Sequence, residues 1–274
     1  MHVVLAEVQC SPGQVDENLN RIEKCIESVA GSDLIVFPEL FLSGYNVGDR
    51  IHRLALSPDG REVTRLKEIS AKHHVWILTG TPYINLSRRG ETLNAAMLVG
   101  PEGQLHVQGK RYLPTFGPFE EGRLFTSAGD RYVFSTPFGK VGLLICYEAF
   151  FPEVTRQLAL NGADLLLAIS AAPLTSKSLF EKVLPARAVE NATPLAYVNR
   201  IGVEDSLVFG GGSGVWDPRG EPLKFEMIAT KGEGRLLRYD LPLEDYSYYR
   251  PMRPVLRDIA SAGHPKASPA SSEY

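Results

Sequence analysis

The sequence predicts an α/β fold of two pseudo-symmetric halves, each a sheet covered by helices on one face and packed through its other face on its mate. The first observation is a repeated order of segments. "HVVLAEVQC" reads as a strand, and "QVDENLNRIEKCIESVA" places Leu19, Ile22, Ile26 and Val29 at helical spacing before "GSDLIVFPEL". In the second half "VGLLICYEAF" reads as a strand, "PEVTRQLALN" as a helix with Pro152 near its first turn, and "GADLLLAISA" follows. The second observation is that the echo continues. Helical stretches "REVTRLKEISAKHH" and "LFEKVLPARAVENA" precede strands "VWILTGTPY" and "PLAYVNRIG", and Pro185 is expected to kink or interrupt the second helix. The third is a closing hairpin in each half, "NAAMLVGPEGQLHVQGK" and "GGSGVWDPRGEPLKFE". Their turns GPEG and DPRG carry Pro at the second position and Gly at the fourth. The expectation is one domain over residues 1–274. Its last stretch, about 255–274, is poor in large apolar residues and reads as a mobile or partner-embracing tail.

Composition narrows the function classes. The chain has 274 residues, is 44% hydrophobic and 22% charged, and carries a net charge of −3 with no basic stripe, which argues against nucleic acid as a partner. Cys10, Cys25 and Cys146 are odd in number and widely spaced, with no CxxC or Cys/His cluster, so neither a disulfide framework nor a zinc site is expected. No apolar run approaches a membrane span, and the N-terminal stretch reads as a strand rather than a leader. The expected location is a reducing cytoplasm.

Three polar residues interrupt apolar runs at predicted strand exits: Glu39 in "LIVFPEL", Lys110 in "LHVQGK" and Cys146 in "VGLLICYEAF". Each alone is unremarkable, since free cysteine is often a core residue and strand-end charges are often solvated. Together they make a coherent chemistry. A thiol is mostly protonated at neutral pH and needs a base or a cation to act as a nucleophile. Glu39 can take its proton, and Lys110 can stabilise both a thiolate and an oxyanion. Among the histidines, His73 and His74 lie in a helical stretch, His106 in a hairpin, and His2, His52 and His264 outside any candidate motif.

"VFPELFLSGY" around Glu39, "GKRYLPTFGPFEEGRLF" around Lys110 and "GLLICYEAFFPE" around Cys146 resemble the nitrilase superfamily of carbon–nitrogen hydrolases, in the family's order. "ARAVENATPLAYVNRIG" matches its segment after the cysteine. The resemblance covers about residues 1–250. It implies a four-layer αββα sandwich, a Glu–Lys–Cys triad, no metal or organic cofactor, and a homodimer or higher homo-oligomer. It makes Glu39 the general base, Lys110 the cation that stabilises the intermediate, Cys146 the nucleophile and the Tyr147 N–H an oxyanion donor. It also implies a second glutamate, for which Glu121 matches best, with Glu120 in reserve.

Within the superfamily, "PELFLSGYNVGD", "LPTFGPFEEGRLF" and "DSLVFGGGSGVWDPRGE" look like the glutaminase domain of glutamine-dependent NAD synthetases. Cys146-Tyr147-Glu148 instead is closer to amidases and carbamoylases, and Phe116 and Ala172 stand where that domain tends to carry hydroxyls. The expected function is hydrolysis of a small-molecule amide with release of ammonia through a thioester. The alternatives are a nitrilase or N-carbamoyl hydrolase and, from another class, an ammonia-delivering glutaminase subunit of an amidotransferase. Tyr45, Phe116, Phe119, Tyr147 and Ala172 are expected to line an apolar substrate pocket.

Overall fold

The computed structural model describes residues 1–86, 88–129, 131–230 and 234–262. The chain runs β1 (His2–Val8), α1 (Val15–Glu27), β2 (Leu34–Val36), α2 (Arg61–His73), β3 (Trp76–Ile84), β4 (Thr92–Val99) and β5 (Leu105–Gly109). There follow α3 (Glu121–Leu124), β6 (Val133–Thr136), β7 (Gly139–Ile145), α4 (Pro152–Leu160), β8 (Leu165–Ser170), α5 (Lys177–Asn191) and β9 (Leu195–Asn199). Then come β10 (Ile201–Glu204), β11 (Leu207–Gly210), β12 (Gly214–Trp216), β13 (Glu226–Thr230), β14 (Gly234–Asp240) and the short helices α6 (Leu243–Tyr246), α7 (Tyr249–Met252) and α8 (Val255–Ser261).

The repeat is visible in the sheet topology. One sheet has the order β13-β14-β1-β2-β3-β4-β5, and the other β12-β9-β8-β7-β6. In each, three parallel strands (β1-β2-β3 and β7-β8-β9) are flanked by an antiparallel strand on either side. GSDLIV and GADLLL are the central strands β2 and β8. The register of β7 shows why its sequence is almost wholly apolar. Val141, Leu143 and Ile145 face the other sheet, packing with Leu5, Val36 and Leu78, while Leu144 faces the helix side with Leu158 and Leu184. The opposite helix layer, α1 and α2, seats Leu19, Ile22, Leu66 and Ile69 on Val4, Ile35 and Ile77. The layers are therefore αββα. A fully buried side chain of this size contributes about 1.5–3 kcal/mol, so the seam between the sheets is a rigid base for whatever projects from its ends.

Three details depart from the sequence expectation. Helix α5 runs uninterrupted through Pro185, because Phe180, Leu184 and Ala188 on either side of it are buried against the sheet and hold both parts of the helix in place. The second closing hairpin shrinks to a single bridge, Trp216 to Pro222. The expected tail begins as a helix, α8, which lies beside α4 and α5 with Val255, Leu256 and Ile259 half-buried. Its remainder, from residue 263, lies outside the described residues. No helix among the described residues is long and apolar enough to cross a membrane.

One glycine is required by close approach. Strand β3 and the chain after β2 are stitched by Gly80 N–H to the Pro38 carbonyl (3.0 Å) and Leu42 N–H to the Gly80 carbonyl (3.2 Å). A Cβ on Gly80 would stand 2.2 Å from Leu40 N and 2.5 Å from Glu39 Cα. Gly80→Ala is therefore expected to displace the Glu39 segment, costing about 1–3 kcal/mol and most of the activity. Thermal unfolding and a turnover assay check this; wild-type Tm and kcat in the variant would contradict the packing described.

Candidate active site

Three strand exits converge on one end of the sandwich. Glu39 follows β2, Lys110 follows β5 in the same sheet, and Cys146 follows β7 in the other. Glu39 and Lys110 are wholly buried and Glu121, the first residue of α3, is 3% exposed. Burial of three charges is tolerated because they satisfy one another. Lys110 Nζ donates to Glu39 Oε1 and to Glu121 Oε1, both at 2.7 Å. Asn94 Nδ2, from β4, bridges the same carboxylates, at 2.8 Å to Glu39 Oε1 and 3.3 Å to Glu121 Oε2. Glu39 Oε2 accepts the Ala171 N–H at 2.9 Å, so the chain ends after the pseudo-equivalent strands β2 and β8 meet there. Glu121 Oε1 also accepts the Tyr45 hydroxyl at 2.7 Å. Glu120, by contrast, is a surface residue paired with Arg123 at 3.3 Å.

Cys146 sits at φ +48°, in the left-handed region that side chains other than glycine rarely enter, where β7 breaks into a single 3₁₀ turn, Cys146–Phe150. The same strained geometry at a strand-to-turn elbow pushes a nucleophile out of its strand in other hydrolases. The residue is half-buried and touches both the seam between the sheets and the outer core.

The charges define the resting state. Burial, then the Glu39 carboxylate, raise the Cys146 thiol above its ordinary range, against the opposing pull of Lys110 and the Ser170 hydroxyl. Burial alone would lower Lys110, but Glu121 and Glu39 push its ammonium above the ordinary lysine range. Burial and Glu39 raise Glu121, against the pull of Lys110. Burial and the adjacent Glu39 carboxylate thus favour the protonated Cys146 thiol over its thiolate.

The expected pocket residues fall into two groups. Tyr45, Phe119, Phe116 and Tyr147 form a continuous chain of edge-to-face rings, with centroids 6.3, 5.6 and 5.4 Å apart in turn. Phe209 of β11 meets Tyr45 from the other side at 6.2 Å. Ala172 is instead 2% exposed, packed among Phe180 and Tyr197, with its backbone N–H and carbonyl both held by the Asn199 amide.

Sequence reading missed the residues that hold these groups in place. Asn94 was detectable only as one amide inside the apolar run "NAAMLVG". Glu204 accepts the Tyr45 and Asn46 N–H groups at 2.9 and 2.7 Å and pairs with the buried Arg200 guanidinium. Glu148 accepts the Ile145 and Arg111 N–H groups and pairs with Arg131. As for metals, Glu23, Glu27 and His73 gather within 4.8 Å across α1 and α2, where the Lys72 ammonium already pairs with Glu23 at 2.7 Å.

The carbon–nitrogen hydrolase family profile matches residues 4–250. The chain is a carbon–nitrogen hydrolase of the nitrilase superfamily. It is 32% identical to a probable nitrilase of Schizosaccharomyces pombe, over 89% of this hydrolase and 90% of that protein. It is 33% identical to an (R)-stereoselective amidase of a Pseudomonas species over 93% of each chain. Glutamine-dependent NAD(+) synthetases also match, that of Aquifex aeolicus at 32% identity over 81% of this hydrolase and 39% of its own length. Among solved structures, the amidase from Nesterenkonia sp. AN1 superimposes with a TM-score of 0.76 at 32% identity, covering 92% of this hydrolase and 94% of that chain. A glutamate-to-glutamine variant of that amidase carries the acetamide moiety of fluoroacetamide covalently on its active-site cysteine.

The raised thiol makes a spectroscopic prediction. An ultraviolet titration of the hydrolase minus that of Cys146→Ala is expected to show no thiolate absorbance at neutral pH, with the band growing only above the range of a free cysteine. A thiolate band already present at neutral pH would contradict the charge balance described.

Proposed function

We propose that this hydrolase cleaves a small primary amide with an apolar or aromatic acyl group, releasing ammonia through a thioester on Cys146. The observation that carries this reading is the Lys110 ammonium held at 2.7 Å by both Glu39 and Glu121 beside the Cys146 thiol. Cys146 Sγ attacks the amide carbonyl carbon as Glu39 takes the thiol proton, which explains why a protonated resting thiol is serviceable. The resulting oxyanion is stabilised by Lys110, whose third N–H is left over by the two carboxylates, and by the Tyr147 N–H. Collapse of the tetrahedral intermediate breaks the C–N bond as Glu39 returns the proton to the leaving nitrogen, and ammonia departs. Water, deprotonated by Glu39, then attacks the thioester; the acid leaves and the thiol regains its proton. Glu121 fixes Lys110 and, through its shared contact with Asn94, keeps Glu39 aligned with it.

The ring chain from Tyr45 to Tyr147 supports the substrate class. It offers aromatic surface, and its one committed hydroxyl, on Tyr45, already serves Glu121. Of the four rings only the Tyr147 hydroxyl is left to meet a free amino-acid end, which has two charged groups to satisfy. The amidase resemblance of Cys146-Tyr147-Glu148 points the same way, and the Nesterenkonia amidase, with an acetamide moiety on its cysteine, is a precedent for covalent attachment.

The test is an ammonia-release assay on aliphatic amides of increasing length, glutamine, ureido acids and nitriles. Each added CH₂ contributes about 0.8 kcal/mol, so kcat/KM is expected to rise about fourfold per carbon until the pocket is full, with glutamine a poor substrate and Cys146→Ala inactive. Preference for glutamine would overturn the reading in favour of an ammonia-delivering subunit. Preference for ureido acids or nitriles would overturn it in favour of those branches.

A further inference from the structure

The Glu148 carboxylate stands at the junction of the two sheets, yet it has no part in the chemistry above. It is wholly buried. Its Oε2 accepts the N–H of Ile145, the residue before Cys146, at 2.9 Å. Its Oε1 accepts the N–H of Arg111, the residue after Lys110, at 2.6 Å, and meets the Arg131 guanidinium. Capping of the turn that begins at Cys146 would account for the first of these bonds and not the second. The two amides come from different sheets, and each is covalently adjacent to a member of the proposed triad. A single rigid group of three atoms thus spans the gap between the nucleophile's backbone and the lysine's. Cys146 is held at φ +48°, a conformation that persists only where its surroundings over-determine it.

We propose that Glu148 is a positioning residue that fixes the Cys146 thiol against the Lys110 ammonium by holding the backbone beside each. The inference rests on the assignment of Cys146 and Lys110 as catalytic groups. A buried ion pair adds little net stability compared with apolar neighbours, so Glu148 and Arg131 are better accounted for by the register they impose. Gln at this position has one acceptor oxygen and an NH₂ that faces one of the two backbone donors, so it can hold only one of the flanks.

The test compares Glu148→Gln with the wild type. Because this change leaves the Arg131 guanidinium buried and unpaired, Glu148→Gln/Arg131→Met is made alongside to restore neutrality. Two readouts are used on folded protein: steady-state kinetics with an aliphatic amide, and the pH profile of Cys146 alkylation by iodoacetamide, followed by mass. Misplacement of reacting groups by about 1 Å costs on the order of 10²-fold. Both variants are therefore expected to lose about 10²-fold in kcat with little change in KM. Their alkylation profiles are expected to move to lower pH, because a thiol displaced from this site escapes part of the burial and of the Glu39 charge that hold it above its ordinary range. Wild-type kcat in the double variant, or an alkylation profile unmoved in both, would overturn the proposal. Alkylation needs no amide substrate, so a wild type that hydrolyses none of the amides tried would defeat the proposed function while leaving this measurement in force.

Discussion

The Lys110 ammonium is shut away from solvent between two carboxylates at 2.7 Å, and the rest of the site is arranged around that contact. Removing an ion from water costs several kcal/mol even after relaxation, and one partner seldom recovers it. Here two carboxylates and the Asn94 amide share the load, and each carboxylate is satisfied a second time, Glu39 by the Ala171 N–H and Glu121 by the Tyr45 hydroxyl. In the proposed mechanism, burial and the Glu39 carboxylate keep the neighbouring thiol protonated until it attacks. The site is therefore suited to a base that takes a proton during attack rather than to a preformed thiolate, a distinction that follows from burial and a neighbouring like charge.

The double-sheet architecture supplies what this cluster needs. Parallel strands in both halves end on the same side, so Glu39 and Lys110 come from one sheet and Cys146 from the other. The seam of Val, Leu and Ile side chains between the sheets fixes their separation. Buried carboxylate–guanidinium pairs then pin the connecting chains: Glu148–Arg131 between Cys146 and Lys110, and Glu204–Arg200 beneath Tyr45. The buried Glu7 does the same for Gly212 and Ser213, although its partner Arg235 is half-exposed. In each case one carboxylate accepts two backbone N–H groups, a use of burial that serves position more than stability.

Much of this was legible in the sequence because it is written in periodicity. The paired GSDLIV and GADLLL strands, the amphipathic α1 and α2 and the apolar β7 indicate the layers, and polar residues at the ends of apolar runs single out Glu39, Lys110 and Cys146, which the fold brings to one end of the sandwich. Pro185 misled, since tertiary packing on both sides of a proline can keep a helix intact despite one lost hydrogen bond. Asn94 and Glu204 were not legible as site residues. Each acts through a contact more than 25 residues away in sequence, 55 from Asn94 to Glu39 and 159 from Glu204 to Tyr45. Ala172 misled in another way, because a small side chain gives no sign of which face its loop presents. The distinction between Glu120 and Glu121 came from resemblance, and its physical basis is visible only in the fold, where one faces Arg123 at the surface and the other faces Lys110.

In the proposed mechanism the shared Lys110 cation is needed as charge builds on the substrate oxygen. The single-turnover rate at which Cys146 is acylated by an aliphatic amide in Lys110→Met, read by intact mass, tests this most directly. Methionine keeps most of the buried volume but leaves Glu39 and Glu121 facing each other without a cation, so the rate is read on protein shown to be folded, with Lys110→Met/Glu121→Gln made alongside to relieve the uncompensated charge. Loss of an oxyanion-stabilising donor costs about 10²–10³-fold, and at least that fall in the acylation rate is expected. Acylation of Cys146 at the wild-type rate in the folded variant would contradict it.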